Sequence, residues 1–251
     1  MIMNYSQINL EKSVGWKILN LLKIKDAFYI PRWFMITEKE DINEDIYTDY
    51  MNIVWTEYYI CRSSMSNEDS MKLSYAGLFE SIEWRISEKL LHNDILDVFQ
   101  SVENDFLDEY EIKITWKVLE KRKMNVLIQE FIIWEVSWVY FSNFNNGRLI
   151  EYIKWCNQFL VDGVVKANKL FLSKNYTIIE HKKNIQYKYI WENLDIYIYE
   201  KENNSLTLEW EGLLISELSR LQTFYDFEID VEWTISKWKL YILQVRPITA
   251  L

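Results

Sequence analysis

The sequence predicts a mixed α+β fold, because helical and strand periodicities occupy separate parts of the chain. Apolar residues recur at helical spacing in residues 12–24, 87–102 and 206–227. Short segments rich in β-branched and aromatic residues lie between these helices and dominate the second half. A chain of 251 residues without an internal repeat or a Pro- or Ser-rich linker is expected to form one large domain or two closely joined lobes.

The first half is expected to alternate helices and strands. Ile30-Pro31 ends the first helical segment, because proline cannot continue a helix. The elements expected after it are a strand at 33–37, an acidic solvated helix or loop at 38–49, a strand at 57–64, a polar loop at 66–74 and an amphipathic helix at 87–102.

Strands are expected to prevail in the second half. Asn143, Asn145, Asn146 and Gly147 have the composition of a turn. The elements expected around this turn are strands at 125–134, at 137–142 and within 159–172, the longest helix at 206–227, and a closing hairpin of 229–235 and 239–245.

Composition excludes several classes of protein. The net charge is −10 and no block of Lys and Arg occurs, which argues against nucleic-acid and anionic-membrane partners. Cys61 and Cys156 are far apart, and His92 and His181 are too few for a histidine metal site. No apolar run reaches the ~18 residues of a spanning helix, and Met1 to Lys12 lacks the apolar core of a signal peptide. We therefore expect a soluble, cytoplasmic protein.

The closing hairpin carries alternating polar residues. Asp230 and Glu232 share one face of the first strand, and Gln244 and Arg246 share one face of the second. A three-residue loop would pair 230 with 244 and place all four on one face, whereas a two-residue loop would separate the two pairs. Carboxylate and amide oxygens suit Mg²⁺, and the guanidinium suits a phosphate. Spacing alone favours the alternative, a half-solvated edge strand with alternating charges.

Three earlier segments also carry polar groups suited to a ligand. Arg62 ends a strand before a loop of small residues, and such loops can cradle phosphates. Lys17 lies near a helix start, where phosphates bind. Gln129 and Glu130 interrupt an apolar strand, as groups that read an adenine edge would. The alternatives are a surface turn, a solvated lysine and a strand that leaves the core.

The order of short motifs is more specific than any one of them. In sequence order they are Gly15-Trp16-Lys17 with Asn20-Leu21, Ile30-Pro31-Arg32-Trp33-Phe34, Arg62-Ser63-Ser64, Glu68-Asp69, Ser74-Tyr75-Ala76-Gly77, the 126–132 strand, Val136-Ser137-Trp138-Val139, Leu160-Val161-Asp162-Gly163, Asp230-Val231-Glu232-Trp233 and Leu243-Gln244-Val245-Arg246-Pro247-Ile248-Thr249. Together they resemble the N-terminal ATP-grasp (AMP/ATP-binding) domain of the phosphoenolpyruvate synthase and pyruvate phosphate dikinase family, in a shortened, stand-alone form.

This resemblance implies an ATP-grasp fold with a nucleotide cleft between an N-terminal lobe at 1–120 and a C-terminal lobe at 121–251. It implies an ATP- and Mg²⁺-dependent phosphotransferase. The roles it implies are phosphate binding and catalysis by Lys17, Arg62 and Arg246, a loop of Ser74, Ala76 and Gly77 over the phosphates, adenine contacts from Gln129, Glu130 and the backbone to Ile132, and metal binding by Asp230, Glu232 and Gln244.

Besides its tryptophans, the chain is expected to depart from the family pattern in two respects. Only 23 residues separate Thr37 from Cys61, where the family usually has a longer insert, so the first lobe is shortened. The sequence matches neither the swivelling phosphohistidine domain nor the pyruvate-binding barrel, so the expected acceptor is a separate phosphohistidine or pyruvate-binding protein, or a small molecule. A catalytically degenerate nucleotide-binding or regulatory module is the alternative.

Tryptophan replaces glycine at several family positions. The chain has 5 Gly and 12 Trp, where about 18 Gly would be average. The positions concerned are Trp16, Trp33, Trp138, Trp155 and Trp238. We hypothesise that these are UGA codons that the source organism reads as glycine, which TGG codons in the gene would rule out. If the tryptophans are real, the site is expected to be degenerate.

Overall fold

A computed structural model of the chain describes residues 2–4, 14–43, 45–54, 56, 58–65, 81–85, 88–101, 124–132, 136–154, 166–183, 186–192, 195–202 and 208–248. The chain divides into two compact units. Unit 1 comprises Met1–Lys23 and Ile30–Ile132, and unit 2 comprises Ile24–Tyr29 and Ile133–Leu251. The sequence-based division at 120/121 assigned residues 121–132 to the C-terminal lobe. The spatial contacts of the chain instead place the boundary of unit 1 at Ile132.

Unit 1 contains helices and an antiparallel sheet. Its elements are β1 (Ile2–Asn4), α1 (Trp16–Ile24), β2 (Trp33–Ile36), a 3₁₀ turn (Lys39–Asp41), α2 (Ile46–Val54), β3 (Tyr59–Met65), β4 (Ser81–Arg85), α3 (Glu88–Gln100) and β5 (Met124–Glu130). Within the described ranges the sheet has the order β1-β2-β5-β3-β4, so β5 lies at its centre.

The two faces of this sheet pack against different helices. Side chains alternate between faces along a strand. Tyr59, Cys61 and Ile128 lie in one apolar cluster with α2 and α3. Trp33 and Leu127 lie in a second cluster with the apolar side of α1. On β5, Asn125 and Gln129 therefore lie on the α1 face with Leu127, and on β3 their direct partners Ser64 and Ile60 lie there with Arg62.

The acidic segment 38–49 predicts a solvated helix or loop, so the buried side of helix α2 and its extension to Val54 were not expected. In the structure this segment forms the 3₁₀ turn and then enters α2 at Ile46. Ile46, Tyr50 and Val54 are buried at four-residue spacing, which places them on one side of the helix. The Tyr50 hydroxyl donates to the Tyr58 carbonyl, and burial raises the pKa of this phenol. Tyr47, Met51 and Ile53 are partly buried against the same cluster, so α2 is anchored by one apolar side.

Unit 2 is built mainly from strands. Its elements are β6 (Val136–Phe144), β7 (Gly147–Lys154), β8 (Asn168–Leu172), β9 (Ile178–Lys182), β10 (Gln186–Glu192), β11 (Asp195–Glu202), α4 (Leu208–Gln222), β12 (Ile229–Ser236) and β13 (Lys239–Pro247). In the part of the chain described, one sheet has the order β13-β12-β6-β7-β8-β9, and β10 pairs with β11. Helix α4 buries Leu214 and Leu218. The helices and antiparallel sheets of the two units confirm the α+β class.

Two hairpins of unit 2 share one backbone geometry. Asn145 and Asn146 connect β6 to β7 with φ of 49° and 62°, and Lys237 and Trp238 connect β12 to β13 with φ of 48° and 62°. Two-residue turns with both φ positive match the right-handed twist of the paired strands. Asparagine tolerates this conformation, whereas tryptophan rarely adopts it. Among the residues described, no helix is both long and apolar enough to cross a lipid bilayer.

Candidate functional site

In unit 1, Lys17 contacts β3, the strand that carries Arg62. The sequence predicted that Arg62 ends this strand, whereas β3 continues to Met65. Lys17 is the second residue of α1, and its Nζ donates to the Ser63 Oγ of β3 at 3.2 Å. Arg62 pairs directly with Leu127 of β5, which packs against α1. Direct partners of an antiparallel pair lie on the same face, so Arg62 lies on the α1 face. Two cationic groups beside a hydroxyl form a suitable binding group for phosphate oxygens.

Gln129 lies on the same sheet face as Arg62. It is two residues from Leu127 on β5, about 7 Å further along the strand. It is 1% exposed, and its side-chain Nε2 is buried without an acceptor among the described residues. A buried donor without a partner costs about 1–3 kcal/mol. A heteroaromatic base bound at this position would offer an acceptor to the Gln129 Nε2 and so remove that cost.

Glu130, the last residue of β5, is engaged by Arg32. The guanidinium donates through Nε at 3.0 Å and Nη2 at 2.9 Å, and the Arg32 backbone N–H donates to the same carboxylate at 3.2 Å. The Glu130 backbone N–H returns a bond to the Arg32 carbonyl at 2.8 Å. Arg32 therefore fixes the end of β5, and Ile132 is buried two residues later. No local sequence pattern predicts this role for Arg32, because only the register of β2 and β5 brings it to Glu130.

The loop of Ser74, Ala76 and Gly77 lies outside the described residues, as does Trp155. The other family positions now occupied by tryptophan differ in environment. Trp16 begins α1 and Trp138 pairs with Trp233 between β6 and β12. Trp33 is fully buried, and its indole N–H has no acceptor among the residues described. Trp238 lies in the β12–β13 turn and is 77% exposed.

In unit 2, the polar residues of the closing hairpin meet in two cross-strand pairs. Asp230 pairs with Arg246, and Glu232 pairs with Gln244. The turn contains only Lys237 and Trp238, so the three-residue alternative and its pairing of 230 with 244 are wrong. The register shifts between Glu232 and Trp233, and this β-bulge leaves Leu243 as the extra residue on β13. The bulge offsets the shorter turn, so the four polar residues share one face.

The groups on this face differ in burial and in charge pairing. The Arg246 Nε donates to the Asp230 Oδ2 at 2.7 Å. Asp230 and Gln244 are buried, and Glu232 is half-buried. This arrangement supplies carboxylate and amide oxygens beside a guanidinium. Among the described residues no cluster of three or more His, Cys, Asp or Glu side chains forms a metal cage. A site with only a few protein ligands is typical for Mg²⁺, because this ion keeps several waters and binds phosphate oxygens of the substrate.

A scan against protein-family profiles matches residues 29–251 to the AMP/ATP-binding domain of pyruvate phosphate dikinase. The chain belongs to this family. The match covers most of the chain, and it confirms the family inferred from the motif order. The AMP/ATP-binding domain assignment also supports the ATP-grasp fold that the resemblance implied.

Individual relatives are more distant. YvkC of Bacillus subtilis (strain 168), described as an uncharacterized phosphotransferase, is 26% identical over 204 residues, which cover 76% of this chain and 24% of YvkC. The chain thus spans about a quarter of that relative. D-alanine–D-alanine ligases of Helicobacter pylori and Bacillus anthracis, the latter complexed with ATP, are 15% and 10% identical. They give TM-scores of 0.47 and 0.45 and cover 94% and 92% of this chain and 54% of each ligase.

Proposed function

We propose that this chain binds Mg-ATP and transfers a phosphoryl group from it to an acceptor on another polypeptide or to a small molecule. The observation that carries the proposal is the set of polar groups that meet at β3 and β5 of unit 1. The Lys17 ammonium bonds to Ser63 of β3, and Arg62 and the buried amide donor of Gln129 lie on the α1 face. Family membership supports ATP as the ligand of these groups, because the family profile is that of an AMP/ATP-binding domain.

The proposal assigns the phosphates, the adenine and the metal to separate groups of residues. Lys17 and Arg62 of unit 1 bind phosphate oxygens, with Ser74, Ala76 and Gly77 supplying backbone N–H groups. Gln129 and the backbone from Glu130 to Ile132 bind the adenine. Glu232 and Gln244 of unit 2 would hold Mg²⁺ with the assistance of Asp230, and Arg246 binds a phosphate.

The chemistry requires little covalent participation by the protein. In phosphoryl transfer, charge spreads over the equatorial oxygens of the transferred group, and catalysis comes mainly from positioning and charge stabilisation. Lysine supplies a compact point charge and arginine a planar fork that matches a phosphate. The bond from Arg246 to Asp230 holds that fork in one orientation. A bound Mg²⁺ would neutralise negative charge between neighbouring phosphates.

Calorimetric titration with ATP, with and without Mg²⁺, tests the binding step. We expect Mg²⁺ to strengthen ATP binding in the wild-type chain. Lys17→Ala and Arg62→Ala should weaken ATP binding about tenfold or more, since a hydrogen bond to a charged group contributes about 1.5–3 kcal/mol. Glu232→Gln should abolish the gain from Mg²⁺. Lys174→Ala and Asp226→Asn, which change exposed side chains of the same charges, are the matched controls.

Two results would contradict the proposal. If the folded wild-type chain does not bind ATP, the proposed ligand is wrong. If Lys17→Ala and Lys174→Ala weaken ATP binding equally, Lys17 is not part of a phosphate site.

A degenerate nucleotide-binding or regulatory module is the second candidate. Trp33 and Trp238 favour it, because they occupy family glycine positions with an unsatisfied indole N–H and a strained φ, respectively. Measurement of ATP consumption in the presence of candidate acceptor proteins separates the two. Binding with turnover supports the phosphotransferase, and binding without turnover in any acceptor mixture supports the module.

A further inference from the structure

The start of α1 and the end of β3 meet in a buried polar junction formed by Val14, Gly15, Ser64 and Asn125. The Ser64 Oγ donates to the Val14 carbonyl at 3.0 Å, and the Asn125 Nδ2 donates to the Ser64 carbonyl at 3.1 Å. All four residues are buried. Asn125 and Ser64 are also direct cross-strand partners in β5 and β3. The junction therefore ties the beginning of the helix to two central strands.

Gly15 permits this close approach. Its φ is +87°, in the left-handed region, and α1 begins at the next residue with the Leu19 N–H donating to the Gly15 carbonyl at 3.0 Å. A Cβ at Gly15 would lie 2.4 Å from the Ser64 Oγ, 2.7 Å from its carbonyl carbon and 2.9 Å from its carbonyl oxygen. Two of these atoms are backbone and cannot rotate away. Any side chain at position 15 would push α1 off β3.

Lys17 lies directly after this junction along the chain. It is two residues after Gly15, and the acceptor of its Nζ, Ser63, immediately precedes Ser64. The ammonium group is thus held between two backbone segments that Ser64 itself joins. A displacement of either segment would move the ammonium relative to Arg62, the neighbour of Ser63 on the other side.

We infer that Ser64 and Asn125 are positioning residues that hold the Lys17 ammonium in place for a nucleotide phosphate. The inference rests on the proposed function, because it assigns these residues to the phosphate part of the same ligand. It also explains a pattern that packing alone leaves without a purpose. Hydroxyl and amide groups lie in a buried junction where apolar side chains would pack with less desolvation cost, and they bond to the segment that carries the lysine.

Phosphate-dependent affinity distinguishes positioning from a merely structural role. The dissociation constants of ATP, ADP and adenosine are measured with Mg²⁺ for the full chain and for Ser64→Ala and Asn125→Ala, together with their thermal midpoints. We expect the preference for ATP over adenosine to fall about tenfold to a hundredfold in both variants, because the loss of one hydrogen bond to a charged group weakens binding by about that factor. Adenosine affinity should stay unchanged.

Ser101→Ala is the matched control. The Ser101 Oγ donates to the Val98 carbonyl at 2.7 Å at the end of α3, so this variant also loses a hydroxyl-to-carbonyl bond within unit 1. It should keep the full preference for ATP over adenosine.

The outcomes separate this inference from the proposed function. If Ser64→Ala and Asn125→Ala lower the thermal midpoint but keep the wild-type preference for ATP over adenosine, the two residues are structural and the inference is overturned. If Ser64→Ala does not fold, Asn125→Ala alone decides between these results. If the wild-type chain shows no preference for ATP over adenosine, the proposed phosphate site itself fails.

Discussion

Replacement of Trp238 by glycine tests the strain in the β12–β13 turn. Trp238 has φ of 62°, and a left-handed conformation costs a residue with a Cβ roughly 1–2 kcal/mol. Glycine would remove that cost. Glycine also gives the unfolded chain more conformational freedom, which lowers the free energy of unfolding by about 0.4–1 kcal/mol and offsets part of the gain. Because Trp238 is 77% exposed, its replacement exposes little buried apolar surface.

A second contact of Trp238 opposes the gain. Its ring stacks on that of Trp210 in α4, with centroids 5.8 Å apart and an interplanar angle of 20°. Such a pair contributes about 0.5–1.5 kcal/mol. In the wild-type background the stacking loss therefore cancels most of the relief of strain. In a Trp210→Ala background no stack remains, and Trp238→Gly should raise the free energy of unfolding by about 1 kcal/mol.

Urea unfolding of the four members of this double-mutant cycle supplies the assay. Asn146→Gly is the control, because Asn146 has the same φ of 62° in the β6–β7 turn and asparagine adopts it at low cost. We expect a near-zero effect there. A Trp238→Gly substitution that destabilises the chain in the Trp210→Ala background would refute the claim of strain at 238.

Three further perturbations have defined outcomes. Arg32→Lys should lower the free energy of unfolding by about 1 kcal/mol in urea unfolding, because an ammonium cannot reproduce the two-point contact with Glu130; an unchanged midpoint would contradict this. Ile95→Ala should cost about 2–5 kcal/mol, because Ile95 is fully buried between α3 and the sheet, and a loss below that range would show that the cavity collapses. Burial lowers the pKa of His181 below its ordinary value of 6.5, although Glu211, 3.4 Å from the imidazole Nδ1, acts in the opposite direction. The folded chain then binds this proton less readily than the unfolded chain, so stability should fall as pH drops below about 6.5, and His181→Gln should flatten that dependence in unfolding measured from about pH 8 to pH 5.

Periodic elements could be predicted from the sequence because their signal is local. The strand at 33–37, the helix at 87–102 and the closing hairpin match β2, α3 and β12–β13 closely. The burial of helix α2 was missed because Ile46, Tyr50 and Val54 lie next to an acidic run that suggested a solvated helix or loop. Strand β7 was missed because the turn residues Asn145 and Asn146 indicated a connection, while the strand after them carries a weaker pattern of its own.

Contacts between distant segments could not be predicted in the same way. The order of the motifs predicted that Lys17 and Arg62 both bind phosphate, but only the structure shows that the lysine donates to Ser63. Glu130 was expected to contact adenine, and that role remains a prediction. Its carboxylate, however, is bound by Arg32, a partner 98 residues away along the chain. Side-chain bonds across such separations depend on strand register, which no local pattern encodes.

The extra residue in β13 has a consequence for chain length. A one-residue deletion in a strand ordinarily inverts every side chain beyond it. Removal of Leu243 would instead leave an unbroken ladder from the turn to Pro247, in which Glu232 still faces Gln244 and Asp230 still faces Arg246. Relatives one residue shorter at this point can therefore carry the same oxygen-rich surface, and an alignment gap there is no sign that the surface has been lost.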